Sequence, residues 1–277
     1  MPGRAEGGNP NRNAPLAVPG TQSFIQILPK LVAADRSVAI LSPTYGEYAH
    51  CFRRAGFAVD NIGSLDELTP AHGTLIVVNP NNPTGGTFRR SELETLAARM
   101  RRQNGHLHID EAFGDARPEL SIAALAAETP GVTVSRSFGK FFGLAGVRLG
   151  FVFAIPPVLE FFEAELGPWA VSGPALFIAR ELMWRDRRVI LDRLHARKAA
   201  LEDVLSAAGL EIAGGTELFA LVRHGEAQAL FEHLARSHIL VRKFDYAGDW
   251  LRIGLAPDEQ GDRRLARALA SATRTRT

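Results

Sequence analysis

Among 32 basic residues only four are lysines, and one of these, Lys140, has neighbours able to change its chemistry. It lies in Ser137-Phe138-Gly139-Lys140-Phe141-Phe142-Gly143. Apolar surroundings disfavour the ammonium form, and a neutral amine can attack a carbonyl to form a Schiff base. An isolated lysine of this kind more often packs its stem on aromatic rings and keeps its head in water, so the rest of the chain must decide. Asp110 closes the apolar stretch His106 to Ile109. A carboxylate there could hold a protonated ring nitrogen by a charge-assisted hydrogen bond. Gly20-Thr21-Gln22 opens a helical segment whose free backbone amides suit a phosphate, and Ser137 and Arg148 could add donors to the same anion. Tyr45 could stack on a planar ring. Asn82, in Asn82-Pro83-Thr84-Gly85, could donate its amide to a ring hydroxyl oxygen. Each residue alone has a plainer reading as a cap, a surface ion pair, a half-buried ring or a turn. The eight histidines lack metal-ligand spacing, so satisfied or solvated histidines are expected and no metal site.

These residues follow short apolar runs, where the strand ends of an α/β sheet carry a ligand site. A helix is expected from Gly20, with Phe24, Ile27, Leu28, Leu31 and Val32 on one face and Thr21 or Ser23 as its cap. Strands are expected at Val38 to Leu41, Leu75 to Val78, Leu107 to Ile109, Val132 to Ser135 and Val147 to Ala154. Ser91 with Glu94 reads as a capping box for a helix reaching about Gln103. Beyond Pro156-Pro157 the texture becomes α+β. Helices are expected at Leu159 to Leu166, Ala175 to Ala207, Ala227 to Arg236 and from Asp258, with strands at Leu218 to Val222 and near Ile239-Val241 and Leu251-Ile253. Residues 1–13 read as a flexible lead-in, 14–172 as a large α/β domain and 173–277 as a small α+β domain.

Composition sets the outer limits. A chain of 277 residues with 46% hydrophobic and 22% charged residues is an ordinary globular one. A net charge of +2 argues against a nucleic-acid partner, and no apolar run reaches membrane-spanning length. The opening residues carry no secretory signal and Cys51 is the only cysteine, so a reducing cytoplasm is expected.

Taken in order, the candidate residues resemble those of the fold type I pyridoxal 5′-phosphate enzymes in the class I/II aminotransferase family, over about residues 15–256. The resemblance implies a three-layer αβα fold with a smaller C-terminal α+β domain. It puts Gly20, Thr21 and Gln22 at the cofactor phosphate with Ser137 and Arg148, Tyr45 over the ring, and Asn82 on the ring oxygen. Asp110 falls at the pyridine nitrogen and Lys140 at the Schiff-base position. Arg252, in Trp250-Leu251-Arg252-Ile253, falls at the substrate carboxylate. Within the family the chain is most similar to the histidinol-phosphate aminotransferase branch, and closer still to the threonine-phosphate decarboxylases of cobalamin biosynthesis. Pro43-Thr44-Tyr45-Gly46-Glu47, Asp110-Glu111-Ala112-Phe113 and Gly167-Pro168-Trp169-Ala170 point there. Arg242, in Leu240-Val241-Arg242, matches the substrate-phosphate position of the histidinol-phosphate branch.

The activity implied is decarboxylation of L-threonine O-3-phosphate to (R)-1-aminopropan-2-ol O-phosphate and carbon dioxide. The alternative is an aminotransferase acting on histidinol phosphate or a related amino acid. The implied partners are a small phosphorylated amino acid and a second copy of the chain, as a homodimer. Three departures from the family pattern stand out. Phe113 replaces a usual tyrosine, leaving the ring oxygen to Asn82. Gly139 replaces a usual serine or threonine before the lysine. Only nineteen residues, none of them tyrosine, precede Gly20, where the family has an arm and a helix over the active site. A third expectation is therefore a truncated cofactor-binding protein with impaired turnover.

Overall fold

The structure, a computed structural model, describes residues 14–274. The expected lead-in, residues 1–13, lies outside them. The first half of the chain runs β1 (Leu16–Val18), α1 (Thr21–Ile27), β2 (Ser37–Leu41), α2 (Glu47–Arg54), β3 (Val59–Ile62), β4 (His72–Val78), α3 (Arg90–Arg102), β5 (His106–Asp110), α4 (Ala123–Glu128), β6 (Val132–Ser137), α5 (Phe138–Phe141) and β7 (Gly150–Phe153). The second half runs α6 (Pro156–Leu166), α7 (Gly173–Met183), α8 (Arg187–Ala207), β8 (Glu211–Thr216), β9 (Phe219–Arg223), α9 (Ala227–Arg236), β10 (Arg242–Phe244), β11 (Ala247–Gly254) and α10 (Glu259–Arg274).

The first seven strands form one sheet in the order β1-β7-β6-β5-β4-β2-β3. Strands β2 to β6 are mutually parallel, while β7 runs antiparallel to β6 and β1 antiparallel to β7. Alternation along the strands builds the layers, because successive side chains leave opposite faces. Ala39, Leu75, Val77, Leu107 and Ile109 pack against α3 and α4 on one face. Val38, Ile40, Ile76 and Val78 pack against Phe24, Tyr48, Phe52 and Phe162 of α1, α2 and α6 on the other. The result is the expected three-layer αβα arrangement. A second sheet, β10-β11-β9-β8, is antiparallel throughout and covered by α8, α9 and α10 around Leu201, Leu234, Leu251 and Leu269. Ala175 and Ala179 of α7 pack with Phe138 and Leu149 beside the first sheet.

Local chemistry moves several expected boundaries. Neither Thr21 nor Ser23 caps α1: its N-cap is Gly20, at φ 79°, with no side-chain bond. The Ser23 hydroxyl instead donates to the Gly20 carbonyl. Helix α3 begins earlier than the Ser91–Glu94 pattern suggests, because the Glu92 carboxylate accepts the Arg89 N–H at 2.7 Å. The stretch 175–207 is two helices, interrupted where Asp186 accepts the Arg188 N–H and starts α8. The strand expected from Val147 begins only at Gly150, since residues 145–147 form a turn of 3₁₀ helix. The strand expected near Ile239-Val241 lies instead at Arg242–Phe244.

Candidate active site

Parallel strands β2, β4, β5 and β6 end on one edge of the sheet, and the polar loops beyond them meet there. Together with β10 and β11 they enclose a cavity of about 570 Å³. Gly20, Thr21, Gln22, Tyr45, Asn82, Asp110, Ser137, Lys140, Arg148, Arg242 and Arg252 all line it. Every residue singled out from sequence is therefore brought to one place, although the outermost are more than 230 positions apart in the chain.

Asp110 is the most firmly held of them. It is buried, with Tyr48 donating to Oδ2 at 2.9 Å and the Ala112 N–H donating to Oδ1 at 2.8 Å. Burial raises its pKa to about 6, against the lowering pull of those two bonds and of Lys140. Lys140 sits in α5, just past the end of the neighbouring strand β6, and faces the cavity. Its ammonium lies 5.6 Å from the centre of the Phe113 ring, which in turn meets Phe219 edge-on. Desolvation lowers its pKa, and Arg252 and Arg148 push the same way while Asp110 opposes. A lysine so placed is a better nucleophile than one in water.

Arg148 is held in the left-handed region at φ 55°, uncommon for a side-chain-bearing residue and frequent where function fixes the backbone. Its guanidinium sits against Gly20, where an added Cβ would stand 2.6 Å from it. Glycine there lets cation and helix start converge on one small space, with Thr21 and Ser137 beside it. Gly139 has a similar reason: an added Cβ would meet the Ala145 Cα at 2.7 Å, so the usual hydroxyl residue does not fit without backbone movement. The Gln22 side chain is occupied, donating to Glu47 at 2.8 Å and accepting from the Tyr45 hydroxyl at 3.3 Å.

The opposite wall comes from the second sheet. Arg252 donates to Asn82 Oδ1 and lies over Phe219, 5.1 Å from the ring centre. With its oxygen so engaged, Asn82 keeps its amide hydrogens for the cavity. Arg242, Lys243 and Tyr246 stand beside it on the β10–β11 hairpin. The loop carrying Asn82 is itself clamped: Thr84 O accepts the Gly215 N–H at 3.1 Å, and a Cβ on Gly85 would overlap the Gly215 carbonyl. Sequence reasoning did not single out Tyr48, Glu47 or Tyr246. Tyr48 lies in α2, after the loop that carries Tyr45, and only the packing of that helix brings its hydroxyl to Asp110.

The match to the family model for class I and II aminotransferases covers residues 4–269. The chain belongs to that family. A threonine-phosphate decarboxylase from a Sinorhizobium species is 57% identical over 256 residues, covering 92% of this chain and 77% of the relative. One from Pseudomonas aeruginosa is 44% identical, covering 93% and 78%. The fold superposes on a histidinol-phosphate aminotransferase from Sinorhizobium meliloti, solved in complex with pyridoxal-5′-phosphate, with a TM-score of 0.80 at 20% identity, covering 95% of this chain and 77% of the other.

Within the family frame the residues present fit pyridoxal 5′-phosphate. The Arg148 guanidinium, beside Gly20, Thr21 and Ser137 on the cavity wall, suits a phosphate. Asp110 has spare lone pairs on both oxygens for a ring N–H, and Lys140 supplies an amine of lowered pKa to the same cavity.

Proposed function

We propose that the protein is a pyridoxal-phosphate-dependent decarboxylase converting L-threonine O-3-phosphate to (R)-1-aminopropan-2-ol O-phosphate and carbon dioxide, in cobalamin biosynthesis. The observation that carries the reading is one cavity joining a lysine of lowered pKa, a buried aspartate and three arginines, in a chain 57% identical to a protein of that name. Three arginines suit a phosphorylated cofactor together with a substrate bearing both a phosphate and a carboxylate.

Bound there, the cofactor supplies an electron sink for the pair released when the carboxylate leaves. Arg148, Ser137, Thr21 and the Gly20 backbone hold its phosphate. Tyr45 covers the ring face, fixed through its hydroxyl by Gln22. Asn82 donates to the ring oxygen, alone because Phe113 has no hydroxyl. Asp110 keeps a proton on the ring nitrogen. Lys140 is the amine that holds the cofactor and afterwards the group that returns a proton to the substrate Cα. Arg252 would take the substrate carboxylate and Arg242 its phosphate, so the pair would fix the orientation of the substrate at Cα.

The working assembly is a cytoplasmic homodimer. Trp169, Trp184 and Phe177 are 94%, 87% and 58% exposed, apolar side chains of the kind that a second copy would cover. Among the described residues no helix is long and apolar enough to cross a membrane.

The deciding experiment loads the protein with pyridoxal phosphate and offers L-threonine O-3-phosphate, or histidinol phosphate with a 2-oxo acid. Carbon dioxide release from the first is expected. Amine transfer from the second without carbon dioxide from the first would replace the decarboxylase with an aminotransferase. Cofactor uptake with neither product would reject both.

A further inference from the structure

Behind the cavity wall, the polar side chains on one face of β5 form a continuous chain. His106, His108 and Asp110 alternate along the strand and so share the face covered by α1 and α2. Strand β6 runs alongside in parallel register, His108 beside Thr133 and Asp110 beside Ser135. Tyr48 reaches in from α2. Tyr48, His108, Thr133 and Ser135 are fully buried, and none of them lines the cavity except through Asp110.

The direction of each hydrogen bond follows from counting protons. The Tyr48 hydroxyl has one proton, and it goes to Asp110 Oδ2 at 2.9 Å. Its 3.0 Å contact with His108 Nε2 is then favourable only if Nε2 carries the hydrogen and donates. Ser135 Oγ, at 3.3 Å, is a second acceptor for that hydrogen. His108 Nδ1 is left bare and accepts from the Thr133 hydroxyl at 2.9 Å. Thr133 Oγ1 in turn accepts from His106 Nε2 at 3.0 Å. Burial pushes the His108 pKa well down, so the ring is neutral and has only one hydrogen to place. Were Asp110 to carry a proton and give it to Tyr48, every bond would reverse, and His108 would hold its hydrogen on Nδ1. The tautomer of His108 therefore reports the charge of a carboxyl more than one side chain away.

We propose that Tyr48, His108 and Thr133 are positioning residues for Asp110: a one-way chain of donors that fixes His108 as its Nε2–H tautomer and keeps the Asp110 carboxylate ionised and oriented toward the cofactor's ring nitrogen. The ring-nitrogen role of Asp110 rests on the function proposed above; the chain itself does not. It deepens that function by placing part of the cofactor's electronic control in residues that never touch it. Bonds in such a chain polarise one another, so a change at Thr133 reaches Asp110 through two intervening side chains.

The test uses the full chain without cofactor at pH 8, with ¹⁵N-labelled histidine and ¹³C-labelled aspartate carboxyls. Nitrogen shifts should show His108 neutral and protonated on Nε2. Thr133→Val, which removes the partner of Nδ1 at nearly constant volume, should leave Nε2 protonated, because Tyr48 still accepts that hydrogen, and raise the Asp110 titration midpoint by about one pH unit. Thr133→Ser should restore the midpoint. Tyr48→Phe, which removes the acceptor of the Nε2 hydrogen, should populate the Nδ1–H form. In the cofactor-loaded protein Thr133→Val should lower kcat about fivefold with KM unchanged, since it contacts no substrate. An Nδ1–H tautomer in the wild type would overturn the chain, as would a Thr133→Val variant with the Asp110 midpoint unchanged. Failure to bind pyridoxal phosphate or to release carbon dioxide, with the nitrogen shifts as expected, would instead defeat the functional reading alone.

Discussion

The two walls of the cavity are built on different principles. The wall from the first sheet is fixed: Asp110 is buried with both oxygens engaged, and Lys140 is positioned over Phe113. The wall from the second sheet is a short antiparallel hairpin carrying Arg242 and Tyr246, both largely exposed, with Arg252 reaching across to Asn82. Desolvation shifts pKa values on both walls: it raises that of Asp110 and lowers those of Lys140 and Arg252. Under the function proposed above, the first wall would carry the chemistry and the hairpin wall the choice of substrate. The Thr84–Gly215 contact, with glycines on both sides, is the joint that holds the two in register.

Substitutions can break this division, and the largest effects belong to the first wall. Lys140→Ala should lower turnover on the order of 10⁴-fold, the upper range for losing a proton-transfer group, and abolish the visible absorbance of the loaded protein. An absorbance unchanged by the substitution would remove Lys140 from the cofactor. Asp110→Asn should lower kcat on the order of 10²–10³-fold, because the ring nitrogen loses its charged partner, and KM should move little. Stopped assays of carbon dioxide release check both.

The same aspartate makes a prediction without cofactor. Its folded pKa, about 6, lies above the ordinary 3.8, so the folded chain holds the proton more tightly than the unfolded one. That contribution is complete below about pH 4 and is lost as pH rises through about 6. Urea unfolding of cofactor-free protein at pH 4 and pH 7 should show the wild type losing up to about 3 kcal/mol relative to Asp110→Asn. Equal slopes would mean the carboxyl is better solvated than its burial implies.

The hairpin wall should respond differently. Arg252→Ala should raise KM about 100-fold, the range for losing a charge-assisted bidentate pair, and weaken cofactor binding only slightly through the released Asn82. A fall confined to kcat would place Arg252 with the chemistry instead.

Much of the site was legible in the sequence, because its residues lie at strand ends. Asp110 follows an apolar run, Ser137 and Lys140 follow another, and Asn82 sits in a loop just past a third. The strand-end rule needs only those runs to be found. The sequence was less informative where structure depends on a partner distant in the chain. The short strands β1 and β3 lack a period long enough to read, β8 is obscured by Gly214 and Gly215, and β1 forms only because β7 lies alongside. The split between α7 and α8 turns on one capping aspartate in an otherwise helical run. Tyr48 was passed over because its hydroxyl acquires meaning only when α2 packs over β5 and points it at Asp110. Gly139 reads as a missing donor in the chain, and as a close approach to Ala145 in space.

Arg242 separates the two walls most cleanly, since it touches neither Asn82 nor any residue of the first wall by hydrogen bond or ion pair among the contacts described. The decisive measurement is a pair of constants on Arg242→Ala: the dissociation constant for pyridoxal phosphate and the KM for L-threonine O-3-phosphate. Division of labour predicts cofactor affinity within about twofold of wild type and a KM raised about 30-fold, the loss of one charge-assisted contact. Cofactor affinity falling with KM unchanged would contradict it, and would move Arg242 from the substrate to the cofactor.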